Sequence, residues 1–243
     1  VPTYYFGSFY ISPGLPWHYH FVWVALTSLL SVVVMSIMGV IWYTKRIWKR
    51  LASEHSESVY LAMLFIIIGT FITSVFFHPR SYDGWRHIYY IYPCMIAFSL
   101  YALRLWLASK TYRWVAIVAI IFFSVDVCLA LRFTLRNHPN QYLYFNMLAG
   151  GYENAKANFD MDYWGISYKQ LFEYLVSLPV DKPTSIYFQQ PLPYTEFVMV
   201  PAFRKKGMII VSSIEDADIY VTINRDFKDL PPESYRNIYA VTV

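Results

Sequence analysis

Apolar residues run almost unbroken for about 20 positions at four places, over 21–43, 59–77, 88–107 and 114–133. At ~1.5 Å per residue, a helix of that length reaches across the ~30 Å hydrocarbon layer of a bilayer. Each run therefore predicts a membrane-spanning helix. The only proline inside a run is Pro93, between one and two turns into the third, where neighbouring helices can satisfy the carbonyl it leaves open. Aromatic residues gather at the run ends: Trp17, Tyr19, Trp42, Tyr43, Trp48, Trp85, Tyr89, Tyr90, Trp106, Tyr112 and Trp114. That placement predicts an interfacial belt.

The pattern changes after residue 136. Polar residues and prolines return at globular frequency, and shorter periods replace the long runs. Over 165–178, Tyr168, Leu171, Leu175 and Leu178 recur at steps of three and four, which predicts an amphipathic helix. Residues 185–188, 208–211, 219–223 and 238–243 read as short strands, and 197–206 as a second helix despite Pro201. The fold class expected is therefore a membrane part of four helices over 1–136, followed by a small α/β extracytoplasmic domain over 137–243.

Composition sharpens this. The chain is 57% hydrophobic and 15% charged, well under the ~25% charge of soluble domains. Its net charge of +4 comes from cations flanking the runs, with no basic tract interleaved with aromatics, so no nucleic-acid partner is expected. Lys45, Arg46, Lys49 and Arg50 follow the first run, and Lys110 and Arg113 follow the third. Those loops share a side. The opposite side has Arg80, Arg86, Arg132 and Arg136. By the positive-inside rule, residues 1–20, the loop 78–87 and the tail face away from the cytoplasm. Cys94 and Cys128 both lie in apolar runs and read as small hydrophobes, not as a disulfide or metal pair. The chain opens on Val1 with no basic stretch and cleavage site, so no signal peptide is expected and a processed or truncated piece is.

Between the second and third runs lies a polar island, His78-Pro79-Arg80-Ser81-Tyr82-Asp83-Gly84-Trp85-Arg86-His87. Such cations beside a bilayer serve as topology signals and lipid-surface contacts, or they hold an anionic head group. Arg80 and Arg86 offer planar forked donors for a phosphate, and His78 and His87 add neutral donors, or cations at low pH. Asp83 reads as a turn residue that caps a helix starting near Gly84, whose N-terminus would then face the same surface. Asp126, inside the fourth run, is either a functional acid or a Ser/Thr-bonded lock on helix packing. His18 and His20 read as interfacial anchors before the first run, since no third zinc ligand stands at suitable spacing. Past the fourth run, Tyr142, Tyr144 and Asn146 offer hydroxyl and amide partners for sugar oxygens, or form an interfacial segment. Asp160 and Asp162, among Phe159, Tyr163 and Trp164, either dress a helix start or build a wall against the membrane part. The two acids leave a divalent cation open but make no full set of oxygen ligands, so no cofactor or metal site is assigned.

Taken in order, these segments resemble a family. The His-Pro-Arg-x-Tyr-Asp-Gly-x-Arg-His island precedes an aromatic helix with Tyr92-Pro93 and then one more helix. His138-Pro139-x-Gln141-Tyr142-x-Tyr144-Phe145-Asn146-x-Leu148-Ala149-Gly150-Gly151 follows, and after it Phe159-x-x-Asp162-Tyr163-Trp164-Gly165-x-Ser167. This order is similar to the C-terminal portion of bacterial membrane glycosyltransferases of the GT-C fold. It is nearest to the glycosyltransferase family 39 type, related to protein O-mannosyltransferases and lipid A aminoarabinose transferases. The motifs cover about residues 76–170.

The resemblance implies a polyprenyl-phosphate-sugar donor, inverting transfer on the non-cytoplasmic face of a bacterial inner membrane, and a protein, lipid or glycan acceptor. It implies that Arg80, Arg86, His87 and His78 hold the lipid phosphate and that Asp83 orients Arg86 or an acceptor hydroxyl. Tyr142, Tyr144 and Asn146 would line the substrate groove, and Asp160, Asp162 and Trp164 would join the soluble domain to it. The family's catalytic carboxylate sits in a first extracytoplasmic loop that this chain does not show, so further N-terminal helices of the same protein are an expected partner. The competing reading is a non-catalytic membrane scaffold or lipid-binding subunit with an extracytoplasmic domain. A transporter is disfavoured, because Asp126 and Arg104 are too few and lie at different depths.

Overall fold

The computed structural model describes residues 2–11, 14–49, 55–77, 79–162, 165–179, 182–189, 201–202, 204–222 and 235–240. The chain divides into two compact units, Val1–Phe159 and Asp160–Val243. The division lies later than the expected junction at 136.

The first unit opens with an antiparallel hairpin, β1 (Pro2–Tyr5) against β2 (Ser8–Ile11), in which Tyr5 faces Ser8. The turn uses positive φ at Phe6 and Gly7. Helices α1 (Tyr19–Thr27), α2 (Leu30–Lys49), α3 (His55–Phe77), α4 (Ile91–Ala108) and α5 (Arg113–Arg136) follow. Four of them are long and apolar enough to cross a membrane, over Leu30–Trp48, Ser58–Phe77, Ile91–Ala108 and Arg113–Arg136. Helices α3 and α5 expose most of their apolar side chains, among them Phe65, Ile72, Ile117, Ile121 and Leu129. Helices α2 and α4 form the centre. A Cβ placed on Gly39 would stand 2.0 Å from the Phe98 carbonyl oxygen, so only glycine lets these two backbones meet.

Three expectations change here. The run 21–43 is not one helix: it breaks at Ser28, where the backbone turns extended (φ −94°, ψ 166°). The third helix starts at Ile91, not near Gly84, so Asp83 does not cap it. A single 3₁₀ turn, Arg86–Ile88, precedes it. Pro93 therefore sits in the first turn of α4, where a helix needs no N–H from it. The aromatic belt is also divided. Trp17, Trp48, Tyr89, Tyr90 and Trp114 are exposed, whereas Tyr19, Tyr43, Trp85 and Trp106 are core.

After α5 the chain stays with the first unit. It makes 3₁₀ turns at Gln141–Leu143 and Met147–Ala149 and a short helix α6 (Tyr152–Asn158). It then bridges Tyr5 with Phe159, which is buried against Tyr5, Phe6, Trp23 and Phe145. That aromatic cluster is why the junction falls after Phe159.

The second unit holds α7 (Tyr168–Ser177) and a parallel sheet of β3 (Thr184–Phe188), β4 (Met208–Val211) and β5 (Ile219–Val221) in the order β4-β3-β5. Thr184 pairs with Met208, and Ile186 with Ile219. Tyr168, Phe172 and Leu175 of α7 close the core over Ile186, Phe188, Met208 and Val221. Residues 201–202 and 204–205 are helical, in the middle of the second helix expected there. Residues 238–240, expected to start a strand, are irregular, and the rest of that segment lies outside the described residues.

Candidate functional site

The island folds around two consecutive left-handed residues, Asp83 (φ 55°) and Gly84 (φ 74°). Glycine adopts such a φ without strain, and aspartate is among the few other residues that tolerate it. Three residues spaced four apart on α1 hold this turn. The Gly84 N–H donates to the Tyr19 hydroxyl (3.1 Å), and Trp85 Nε1 donates to Thr27 Oγ1 (2.8 Å). The Trp23 ring lies under Gly84, 3.4 Å from where a Cβ would be.

The turn places Arg86 three residues on from Asp83, and the two form an ion pair (Nη2 to Oδ2, 3.3 Å). The guanidinium also stands over the Tyr82 ring, 4.5 Å from its centroid, and Tyr82 meets the His87 ring edge-on. Asp83 is buried, while the Arg86 side chain keeps 30% of its surface. Arg86 Nε is buried without a hydrogen-bond partner among the described residues. Arg80 and His87 are exposed. Phe76, Phe77, Tyr89 and Tyr90, on either side of the island in the chain, are exposed as well. His78 lies outside the described residues. The structure thus gathers Asp83 and Arg86 tightly, with His87 beside them through Tyr82. The helix N-terminus invoked for an anion is not at Gly84.

The two α1-linked histidines part company. His18 Nδ1 shares a hydrogen bond with the Tyr5 hydroxyl (2.7 Å). His20 is buried, with Nδ1 on Ser74 Oγ of α3 and Nε2 without a partner among the described residues. Burial, and secondarily the nearby His87, lower its pKa to about 4, so it is neutral at ordinary pH. Among the described residues no three His, Cys, Asp or Glu side chains stand together as a metal site.

A second constellation closes the break between α1 and α2. In an apolar surrounding each freed backbone group costs several kcal/mol unless it finds a partner. Asp126 of α5 takes the start of α2, its Oδ2 accepting from the Ser31 N–H (2.8 Å) and Ser31 Oγ (2.7 Å). Asn146 takes the end of α1. Its amide nitrogen donates to the carbonyls of Ala25 (2.6 Å) and Ser28 (2.9 Å), and its backbone N–H donates to Leu26 (2.8 Å). Its Oδ1 accepts from the Leu148 N–H (3.0 Å). Of the two readings of Asp126, the geometry is that of the packing lock. Asn146 has both side-chain donors and its acceptor engaged here. Tyr144 packs on Phe133, and burial, with the charge of Asp126 and then Tyr92, raises its hydroxyl pKa to about 12. Tyr142 is half-buried in the turn before it.

Sequence reasoning missed the break and the part Asn146 plays in it. The signals were Thr27-Ser28 and Ser31 inside an apolar run. Thr27 Oγ1 donates back to the Trp23 carbonyl (2.7 Å), as hydroxyl residues do near helix ends.

In the second unit Asp160 and Asp162 are buried, and Asp162 closes the turn that leads into α7. Asp162 accepts from the N–H groups of Ile166 (2.9 Å) and Ser167 (3.2 Å) and from Ser167 Oγ. Trp164 lies outside the described residues. No protein-family model, no curated protein and no solved structure matches the chain.

Proposed function

We propose that this chain is part of a membrane glycosyltransferase that takes its sugar from a polyprenyl-phosphate donor, with Arg86 as the ligand of the lipid phosphate. The observation that carries this reading is the state of Arg86. Its guanidinium is held between a buried carboxylate and an aromatic face, yet stays partly open, and its buried Nε–H has no hydrogen-bond partner among the described residues. Arg80 and His87 lie exposed nearby in the chain, next to exposed Phe76, Phe77, Tyr89 and Tyr90 at the ends of two candidate spans. A phosphate on a long isoprenoid tail has the matching chemistry: an anion for the guanidinium and hydrocarbon for the aromatics. The ordered motifs over 76–170 support the same class. On this reading the island and the tail face the non-cytoplasmic side of a bacterial inner membrane. The acceptor is a protein, lipid or glycan, and the catalytic carboxylate comes from further helices of the same protein.

One observation favours a non-catalytic lipid-binding or scaffold subunit instead. Asp83, Asp126 and Asp162 are all engaged in an ion pair or in hydrogen bonds to nearby backbone and hydroxyl groups. The test is binding of a polyprenyl monophosphate to the full chain in nanodiscs. Arg86→Ala is expected to weaken binding about tenfold or more, as loss of a charge-assisted pair does, and Arg80→Ala by much less. Equal and negligible effects of both would overturn the phosphate ligand. Saturable binding lost in Arg86→Ala, with no transfer by the longest form of the protein, would favour the lipid-binding subunit.

A further inference from the structure

Helix α1 touches both constellations. One end is fastened by Asn146, and the start of α2 beyond it by Asp126. Its Tyr19, Trp23 and Thr27 carry the Asp83–Trp85 turn. Nine residues of helix make a stiff bar roughly 13 Å long. Its side is pinned to α3 by His20 on Ser74 and by Phe21 stacked on Phe71 (4.2 Å). Within the turn, Asp83 pairs with Arg86, and Arg86 stands over Tyr82. The turn's backbone N–H at Gly84 and the Trp85 indole both end on α1.

We propose that Asn146 and Asp126 are positioning residues for Arg86, acting through α1. The clamp that closes the α1–α2 break sets where α1 stands, and α1 sets the 83–86 turn that aims the guanidinium. The segment after α5 is thereby coupled to the island, although the two are separated in sequence by a pair of spans. A displacement of Asn146 would withdraw donors from the end of α1 and loosen the Tyr19 and Thr27 contacts at the turn.

Amide hydrogen exchange on the full chain in nanodiscs tests this without any ligand. Asn146→Asp keeps the size and the acceptor but withdraws both side-chain donors and sets a carboxylate against two carbonyls. Exchange at 25–31 and also at 82–88, with Gly84 foremost, is expected to rise about tenfold, equivalent to ~1.4 kcal/mol of local opening. Leu64→Ala, in a different core cluster, serves as a destabilised control and is expected to leave 82–88 at the wild-type rate. A rise confined to 25–31, or the same rise at 82–88 in Leu64→Ala, would overturn the proposal. Tyr19→Phe cuts the link at Gly84 and leaves the Thr27–Trp85 one, so Asn146→Asp added to it is expected to raise exchange at Gly84 by clearly less than it does alone; full additivity overturns the coupling. Should Asn146→Asp not fold, Asp126→Asn, which keeps one carbonyl acceptor for Ser31, is expected to give the same pattern with a smaller shift. Weaker polyprenyl-phosphate binding by Asn146→Asp is the corollary, and only that corollary rests on Arg86 being the phosphate ligand. Loosening of 82–88 in a protein that binds no polyprenyl phosphate would sink the functional reading and leave the coupling intact.

Discussion

His20 shows how one side chain ties the stability of the first unit to pH. Its folded pKa is lowered to about 4 by burial and then by His87, while the unfolded chain has the ordinary value near ~6.5. Below ~6.5 the unfolded state takes up a proton that the folded state refuses until about pH 4, so acid favours unfolding across that window. Thermal unfolding in detergent is expected to show stability falling between those two pH values, by at most ~3 kcal/mol, and then levelling. His20→Gln is expected to remove most of that slope; an unchanged slope would assign it to other groups. Asp126 was legible in the sequence, because a lone acid in an apolar run stands out on cost alone. Its partner Ser31 was not, being 95 residues away. Asn146 was noticed for its amide and set against sugar hydroxyls, because nothing local tells an asparagine facing a ligand from one closing a distant helix end.

At the scale of elements, hydropathy found the helices and missed their ends. A window of apolar residues reads the same whether a helix runs through it or stops inside it, so 21–43 looked like one span. The break needs partners from α5 and from beyond it to exist at all. The start of α4 was displaced for a related reason: the Asp83-Gly84 turn and the 3₁₀ turn use up residues that look helical. In the second unit the strand runs were readable over 185–188, 208–211 and 219–221, whereas their parallel order β4-β3-β5 was not, since pairing is decided by the connections. The α2–α4 contact offers a direct test of element packing. Gly39→Ala would press a methyl onto the Phe98 backbone, which no rotamer change relieves. The helices must separate, at a cost of ~1–3 kcal/mol. A lower midpoint of thermal unfolding in nanodiscs is expected, and an unchanged one would mean that the helices are not in contact there.

For the whole molecule, the charge pattern makes a topological statement that impermeant thiol reagents can read in intact cells. With Cys128 replaced by Ser, a cysteine at Arg80 is expected to label from outside, and one at Lys110 only after permeabilisation. The reverse result would invert the proposed orientation. The division after Phe159, rather than at the last apolar run, reflects aromatic packing that joins the first strand to the end of α6. It also bears on the order in which the protein is made. Asp126 lies 95 residues downstream of Ser31, and Asn146 lies 121 downstream of Ala25, so on the proposed membrane reading both are still unmade when 21–43 enters the bilayer. At that moment an unbroken helix is the form that satisfies every peptide group by itself. On the proposed membrane reading, 21–43 therefore enters as a straight rod and acquires its joint only when 114–133 and the turn behind it have been made. The architecture at the start of the chain is thus completed by its middle.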